Sequence, residues 1–526
     1  MNRKTFGRIV LAVAMAAALG INLAGCGSNV EGEYAFQFDG YPIQDNVQLT
    51  YWLELNGNLP ENVTSLEDTP FGQKLQQDTG VDINFLHPRR GMEEEEFNLL
   101  LASGDLPDLI SYDWYHISGG PESAISGGHI LPLGELIAQE APNLSAYLQA
   151  HPDIDKMIQT DEGHYYVFPF LRGDESLGVY EGLMLRDDWL RELGLQVPET
   201  IEEWTQVLRA FRDQKGATVP FANGGTEVFA GAFGVSGGYY LEQGKIQYGP
   251  LQPGYAAYLQ QMRQWYEEGL LDKTLATLSD AEIVEKMYRG QSGATYGLLS
   301  SSMGRMITHM QQEGKAFSLT AAPFPAQQKG MTPEFGVLDY PYTPKRSVAI
   351  STACKEPRLA ARFLDYGYGE AGKTLYNFGI EGQSFTQEGD TKAYTEEILH
   401  NTQGLSPSAA LSYYACSAYS GPFVQDREHL NMFYTLPVQQ EAVRIWANNN
   451  GAAHRVPYIC ATASESYEIG TIDNEVARYT DEMTVKFIMG IEPLENFGTF
   501  QQGLRDRGID RAIEIRQNQY ERYLAR

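Results

Sequence analysis

Apolar and polar positions alternate along Val47-Gln48-Leu49-Thr50-Tyr51-Trp52-Leu53, which is the two-residue period of a strand. Thr69-Pro70 then opens a helical pattern that runs to Gln77, with proline in the first turn, where its missing N–H costs nothing. After Gly80, Val81-Asp82-Ile83-Asn84-Phe85-Leu86 alternates as a second strand. A helix is expected from Glu93 to Leu101 and a short strand over Asp108-Leu109-Ile110-Ser111. Further helices are predicted at 187–193, 201–215, 255–268, 281–288 and 357–366, and strands at 294–299 and 347–351. The last part, 474–488 and 497–524, reads as mostly helical. Strands that alternate with helices in this way predict an α/β fold with largely parallel sheets.

The first residues break the pattern. Arg3, Lys4 and Arg8 precede an almost wholly apolar or small run from Ile9 to Leu23, which ends in Leu23-Ala24-Gly25-Cys26. The run is short for a membrane span and has the layout of a secretory signal. Its ending resembles a bacterial lipobox, in which cleavage before the cysteine leaves a thiol for lipid. The expectation is a signal peptide over 1–25, a lipidated Cys26, and a polar tether over 26–46. The mature body would then sit on the extracytoplasmic face of the cell membrane, held by lipid alone.

Charge narrows the partners. The formal net charge is −29, and removal of the three basic leader residues leaves the body more acidic still. That argues against nucleic acid and against docking of the body to anionic lipid. With 526 residues, two lobes are the default. Of the four cysteines, Cys354, Cys416 and Cys460 remain after Cys26; three thiols cannot all pair, and buried free thiols are expected.

Catalytic patterns are weak. Gly234-Val235-Ser236-Gly237-Gly238 has the Gly-x-Ser-x-Gly spacing of a nucleophile elbow, but its flanks lack the strand-then-helix setting, and a glycine-rich loop is the better reading. The nine histidines are scattered without metal spacing, and no phosphate-binding loop occurs. Carboxylate pairs such as Glu202-Glu203 and Asp187-Asp188 fall on amphipathic helices and read as solvated faces. No cofactor and no metal site is expected. Aromatic clusters carry more information: Tyr51-Trp52, Tyr112-Asp113-Trp114-Tyr115 and Tyr340-Pro341-Tyr342. Several sit where a predicted strand ends, the edge at which open α/β sheets bind ligands. Aromatic faces beside Asp, Glu and Asn suit sugars, because ring C–H faces stack and hydroxyls find polar partners. The competing reading of each ring is core packing.

Longer segments add a family resemblance. Leu99-Leu100-Leu101-Ala102-Ser103-Gly104-Asp105-Leu106-Pro107-Asp108 resembles a segment of bacterial extracellular solute-binding proteins, the capture subunits of ABC sugar importers. Ile130-Leu131-Pro132-Leu133, Ala141-Pro142-Asn143, the stretch from Asp161 to Pro169, and the stretch from Leu185 to Thr200 continue it in order. Asn377-Phe378-Gly379-Ile380-Glu381-Gly382 and the stretch from Ile515 to Tyr523 are similar to the large LplA-like lipoproteins and to aldouronate- and alginate-oligosaccharide-binding proteins. One departure stands out: where relatives often carry a calcium loop, residues 211–218 are shorter and lack its oxygen ligands.

The resemblance implies a two-lobe, periplasmic-binding-protein-like fold with a hinge and an interlobe cleft. The first lobe would hold 47–179 and 340–410, and the second 180–339 and 411–526, with crossings near Tyr180, Tyr340 and Leu411. The implied function is capture of an oligosaccharide, uronate-containing ones included, by a monomer that hands it to ABC permease subunits without altering it. A surface enzyme acting on polysaccharide, or a sensory or adhesive sugar-binding lipoprotein, is the alternative. The expected ligand-binding residues are Trp52, Asp113, Trp114 and Tyr166 in the first lobe, Tyr296 in the second, Glu381, and the pair Arg89 and Arg90. A guanidinium of that pair could grip a uronate carboxylate bidentately, the competing reading being a solvated turn.

Overall fold

The computed structural model describes residues 40–44, 47–416 and 420–526. The expected signal peptide, Cys26 and the tether as far as residue 39 lie outside the described residues. In chain order the strands are β1 (Val47–Trp52), β2 (Val81–Leu86), β3 (Leu109–Tyr112), β4 (Phe168–Arg172), β5 (Glu181–Arg186), β6 (Tyr239–Glu242) and β7 (Lys245–Tyr248). They continue with β8 (Ala294–Leu298), β9 (Leu319–Ala322), β10 (Tyr342–Ile350), β11 (Phe385–Glu388), β12 (Thr391–Tyr394) and β13 (Val424–Gln425).

Local chemistry explains the elements that the pattern predicts. In β2, Val81, Ile83 and Phe85 are buried while Asp82, Asn84 and Leu86 face out, the half-buried alternation of a strand at a sheet edge. Thr69 caps the helix Pro70–Thr79 by accepting from the Gly72 N–H at 3.1 Å, and Gly80 ends it in the left-handed conformation that glycine adopts freely. The helix Ile201–Lys215 starts on a Thr200 cap and buries Trp204, Leu208 and Phe211 along one face.

The first sheet has the order β13-β4-β10-β3-β1-β2. β1 lies parallel to β2 and β3, β13 lies parallel to β4, and β10 runs against both of its neighbours. The second sheet, β8-β5-β9, departs from the expected parallel arrangement, since both outer strands run antiparallel to β5. Alternation of strand and helix does not fix strand direction where several helices and the β6–β7 hairpin intervene, as they do between β5 and β8.

The chain leaves the first sheet after Arg172 and enters the second at Glu181. It returns between Ala322 and Tyr342. After the expected third crossing near Leu411 there is still a strand of the first sheet, β13 on β4. The next long helix, Pro437–Ala447, packs on the second sheet, where the Trp446 indole N–H donates to the carbonyls of Leu183 and Ala322. Gly182 makes room for that ring: a Cβ there would lie 2.3 Å from the indole. The helix Ala463–Ile488 starts earlier than its periodicity suggests, because Thr462 and Glu465 form a capping box. The final helical stretch divides at Gly508 into Phe497–Asp506 and Ile509–Ala525. Among the described residues no helix is long and apolar enough to cross a membrane.

Candidate functional site

Tyr112-Asp113-Trp114-Tyr115 leaves the end of β3, and its side chains part in opposite directions. Tyr112 stacks on Phe97 with ring centroids 3.5 Å apart. Trp114 is fully buried, and its indole N–H donates to the Ile110 carbonyl at 3.1 Å. Tyr115 turns the other way. Its hydroxyl donates to the Ile459 carbonyl at 2.9 Å, and its ring meets the edge of Tyr458.

Tyr115 thereby lines one wall of a cavity of about 900 Å³. The rest of the lining comes from the loop before β6, the irregular segment 335–340 that returns toward the first sheet, the segment 451–461, the helix Ala463–Ile488 and the last helix. Tyr340 anchors this wall, with its hydroxyl donating to the Val456 carbonyl at 2.6 Å. Its ring lies 4.3 Å from Tyr458 and carries the Arg455 guanidinium 4.6 Å above it. Phe335 stacks on His454, and Tyr240 meets its edge. On the last helix Arg516 lies over the Tyr239 ring at 4.4 Å and pairs with Asp473. Rings that are half-buried on walls with polar edges between them are what a ligand with alternating C–H and O–H faces needs.

Burial tunes these groups. It pushes the phenols of Tyr340 and Tyr458 above their ordinary range, opposed at Tyr340 by the Arg455 charge. It pulls the Arg455 guanidinium below its usual value, with Tyr340 and Asp339 acting against it. Raised phenols stay protonated near neutral pH and a guanidinium stays charged, so the wall offers hydrogen bonds and positive charge.

A second cavity of about 410 Å³ adjoins the first and shares Ser236, Phe335, Gly336 and Val337 with it. Ser236 belongs to the Gly-x-Ser-x-Gly stretch. A short helical turn, Glu227–Phe233, precedes it and the β6–β7 hairpin follows, so it sits in a glycine-rich loop rather than a nucleophile elbow.

The structure places the expected ligand residues as follows. Trp52, Trp114 and Tyr166 belong to one buried cluster beneath the end of the first sheet. A ring with no exposed face has no surface to stack on a sugar, so these three pack the lobe instead. The Tyr166 hydroxyl bonds to that of Tyr342 at 2.9 Å. Asp113 accepts from the His116 ring at 2.8 Å, and it is His116 that reaches the cavity wall. Tyr296 lines the adjoining cavity. Glu381 is exposed in the loop before β11 and lines neither cavity. Arg89 pairs with Glu96 at 2.5 Å, and Arg90 donates to the Leu59 carbonyl at 3.0 Å, so both serve the surface turn after β2.

The arginines of the cleft are Arg455 and Arg516. Residue reasoning missed Arg455 and Tyr458, whose only signal is an Arg and a Tyr around a helix-breaking Pro457 between two helical patterns. Over residues 211–218 the helix Ile201–Lys215 ends on left-handed Gly216 and Asp213 is occupied by Arg212. Glu122, Glu162 and His164 bring potential metal-ligand atoms within 4.8 Å of one another, but Glu122 already bonds to His164 and the Thr160 hydroxyl.

Comparisons with known proteins agree with this architecture. The fructooligosaccharide ABC transporter substrate-binding protein FusA of Streptococcus pneumoniae serotype 4 is 23% identical over 100% of this chain and 99% of its own length. The polygalacturonan/rhamnogalacturonan-binding protein YtcQ of Bacillus subtilis is 23% identical over 74% of this chain and 76% of its own. The crystal structure of the alginate-binding protein AlgQ2 without calcium ion superimposes with a TM-score of 0.72 at 22% identity, covering 92% of this chain and 100% of that one. Such solved relatives share a two-lobe, periplasmic-binding-protein-like fold. The bacterial extracellular solute-binding protein family matches residues 62–374, more than half of the chain, and the chain belongs to that family.

Proposed function

We propose that this protein is the substrate-binding component of an ABC importer and captures an oligosaccharide in the cleft lined by Tyr115, Tyr340 and Tyr458. The observation that carries the reading is that cleft, about 900 Å³ in volume, walled by partly exposed rings and hydrogen-bonding edges. FusA, which matches along the full chain, is named as a fructooligosaccharide ABC transporter substrate-binding protein, and YtcQ, which matches three quarters of it, as a polygalacturonan/rhamnogalacturonan-binding protein. The first lobe comprises the first sheet and its helices, to Arg172 and again from Tyr342 to Gln425. The second comprises the rest, with hinges at 173–180, 323–341 and 426–436. Ligand contacts from both sides favour the closed arrangement by differential affinity, and the permease reads that arrangement.

The mechanism is capture without chemistry. The protein works as a monomer tethered through lipid on Cys26, outside the cytoplasmic membrane. Calorimetry against neutral and acidic oligosaccharides tests the binding half. Mass analysis of a bound glycan after long incubation tests the other, and product that tracks active protein overturns it. Lipid labelling that survives in a Cys26→Ala variant removes the anchor from the reading.

A further inference from the structure

The smaller cavity, about 410 Å³, has the opposite charge to the wall that carries Arg455 and Arg516. Among the described residues that line it, Glu227 is the one carboxylate, and there is no lysine, arginine or histidine. Glu227 is exposed at the start of the turn Glu227–Phe233. Glycines clear the space around it. A Cβ on Gly225 would lie 2.5 Å from its Oε2, and one on Gly237 would lie 3.3 Å from its Cγ. Glu227 forms no ion pair among the described residues, and its support comes from the backbone N–H groups of Thr226 and of Glu227 itself. The protein around it limits its hydration and raises it above the ordinary carboxylate range, and the Asp481 charge adds to the rise.

Tyr296 brings a second acid close. Its ring is half-buried on the wall, and its phenol faces the Glu181 carboxylate, whose charge adds to the upward push of burial. Glu181 also forms no ion pair among the described residues; burial raises it, and Asp339 adds to that. Phe335 supplies another half-buried ring. The Asn223 amide nitrogen is spent on the Gly225 carbonyl at 2.9 Å, which leaves its side-chain oxygen to accept.

A cavity with unneutralised carboxylates, ring faces and spare acceptors fits a group that donates and carries positive charge. A sugar hydroxyl donates once and leaves the carboxylate charge uncompensated. An ammonium donates three times, compensates the charge and is attracted to ring faces. We propose that the Glu227 cavity receives the protonated amine of an amino sugar, with Glu227 as the specificity-determining contact and the Tyr296 and Phe335 rings beside it. The inference rests on the reading of the cleft as an oligosaccharide site and adds an amine-bearing residue to what that site accepts.

Calorimetry with the mature chain near pH 6.5 tests it on trimers of glucosamine and galactosamine. Each is compared with its N-acetyl and its 2-hydroxyl counterpart, beside neutral fructo-oligosaccharides. The expected result is that at least one amino-sugar trimer binds about ten- to a hundredfold more tightly than its 2-hydroxyl counterpart, the range of a hydrogen bond to a charged group. Added salt narrows that ratio. Glu227→Gln removes most of it. Glu227→Asp, which keeps the charge but withdraws it by one methylene, removes part of it and serves where the glutamine variant does not fold. A 2-hydroxyl trimer that binds as tightly as its amine in every pair overturns the amine site and leaves the oligosaccharide reading standing. An amine preference that Glu227→Gln leaves in full is attraction to the surface of a chain of formal net charge −29, and it overturns the assignment to this cavity. If no member of the panel binds, both readings are overturned.

Discussion

Two aromatic clusters in this protein share a boundary of one peptide bond. Trp114 belongs to the first, with Trp52, Phe97 and Tyr166, under the end of the first sheet. Tyr115 belongs to the second, with Tyr340 and Tyr458, on the cleft wall. The first is dry: Trp114 and Tyr166 have no exposed surface, and their polar atoms are satisfied inside the protein. The second is half open, and its Tyr115 and Tyr340 hydroxyls are spent on the backbone carbonyls of Ile459 and Val456. Both are built of aromatic rings. What separates them is whether the neighbouring element closes over the ring, and that is a tertiary property.

The sharpest way to break this contrast is to remove one ring from each cluster. Trp114→Ala leaves a cavity in a close-packed cluster and should cost about 3–5 kcal/mol of stability. Chemical denaturation should show the midpoint falling, with ligand affinity little changed while the protein is folded. An unmoved midpoint with weakened binding would return Trp114 to the cleft. Tyr458→Ala should do the reverse. Loss of one stacking ring should weaken oligosaccharide binding by about 1–3 kcal/mol, with a smaller loss of stability than Trp114→Ala. Calorimetry and a melt on the same sample read both, and equal affinity for variant and parent would take Tyr458 out of the site.

The same contrast shows what the chain made legible. The elements around the first sheet follow from periodicity and caps: β1, β2 and the helix Pro70–Thr79 lie within a residue or two of their expected bounds. Direction in the second sheet does not follow, because antiparallel β8 and β9 read the same way along the chain as parallel strands would. For the site, the Tyr112–Tyr115 and Tyr340–Tyr342 clusters were recognisable as chemistry. Which member of each faces the cleft was not: Tyr340 reaches it while Tyr342 is fully buried. Arg89-Arg90 is a candidate anion grip because the pair follows the second strand, with a solvated turn as the competing reading, and the turn is what the structure has. The guanidiniums that reach the cleft, Arg455 and Arg516, lie far apart in sequence, and the packing of the last helix brings Arg516 to the same cavity.

A smaller effect tests the contact that divides the clusters. The Tyr115 hydroxyl donates to the Ile459 carbonyl and accepts from the Ile459 N–H at 3.3 Å. Tyr115→Phe keeps the ring and removes both bonds, which should cost about 0.5–1.5 kcal/mol. Hydrogen exchange at the Ile459 amide should quicken, since its protection depends on that hydroxyl. Unchanged exchange would mean that the rest of segment 451–461 holds Ile459 in place without Tyr115.

The least perturbing probe is a thiol that both clusters share. Cys460 packs in the dry cluster, its sulfur 3.8 Å from the Tyr166 hydroxyl, yet its neighbours Ile459 and Ala461 line the cleft. Burial pushes the Cys460 thiol up to about 12, and the thiolate is the form that reacts with alkylating agents. At pH 8 the native thiol should therefore stay unmodified over hours, with or without ligand, while the denatured chain labels completely. Mass analysis of peptides after quenched alkylation reads this directly. If the dry cluster stays shut while the cleft opens and closes, ligand makes no difference to Cys460. Labelling of the native protein that ligand suppresses would mean that segment 451–461 lifts as a unit, and the boundary between Trp114 and Tyr115 would then move with the ligand instead of being fixed by the fold.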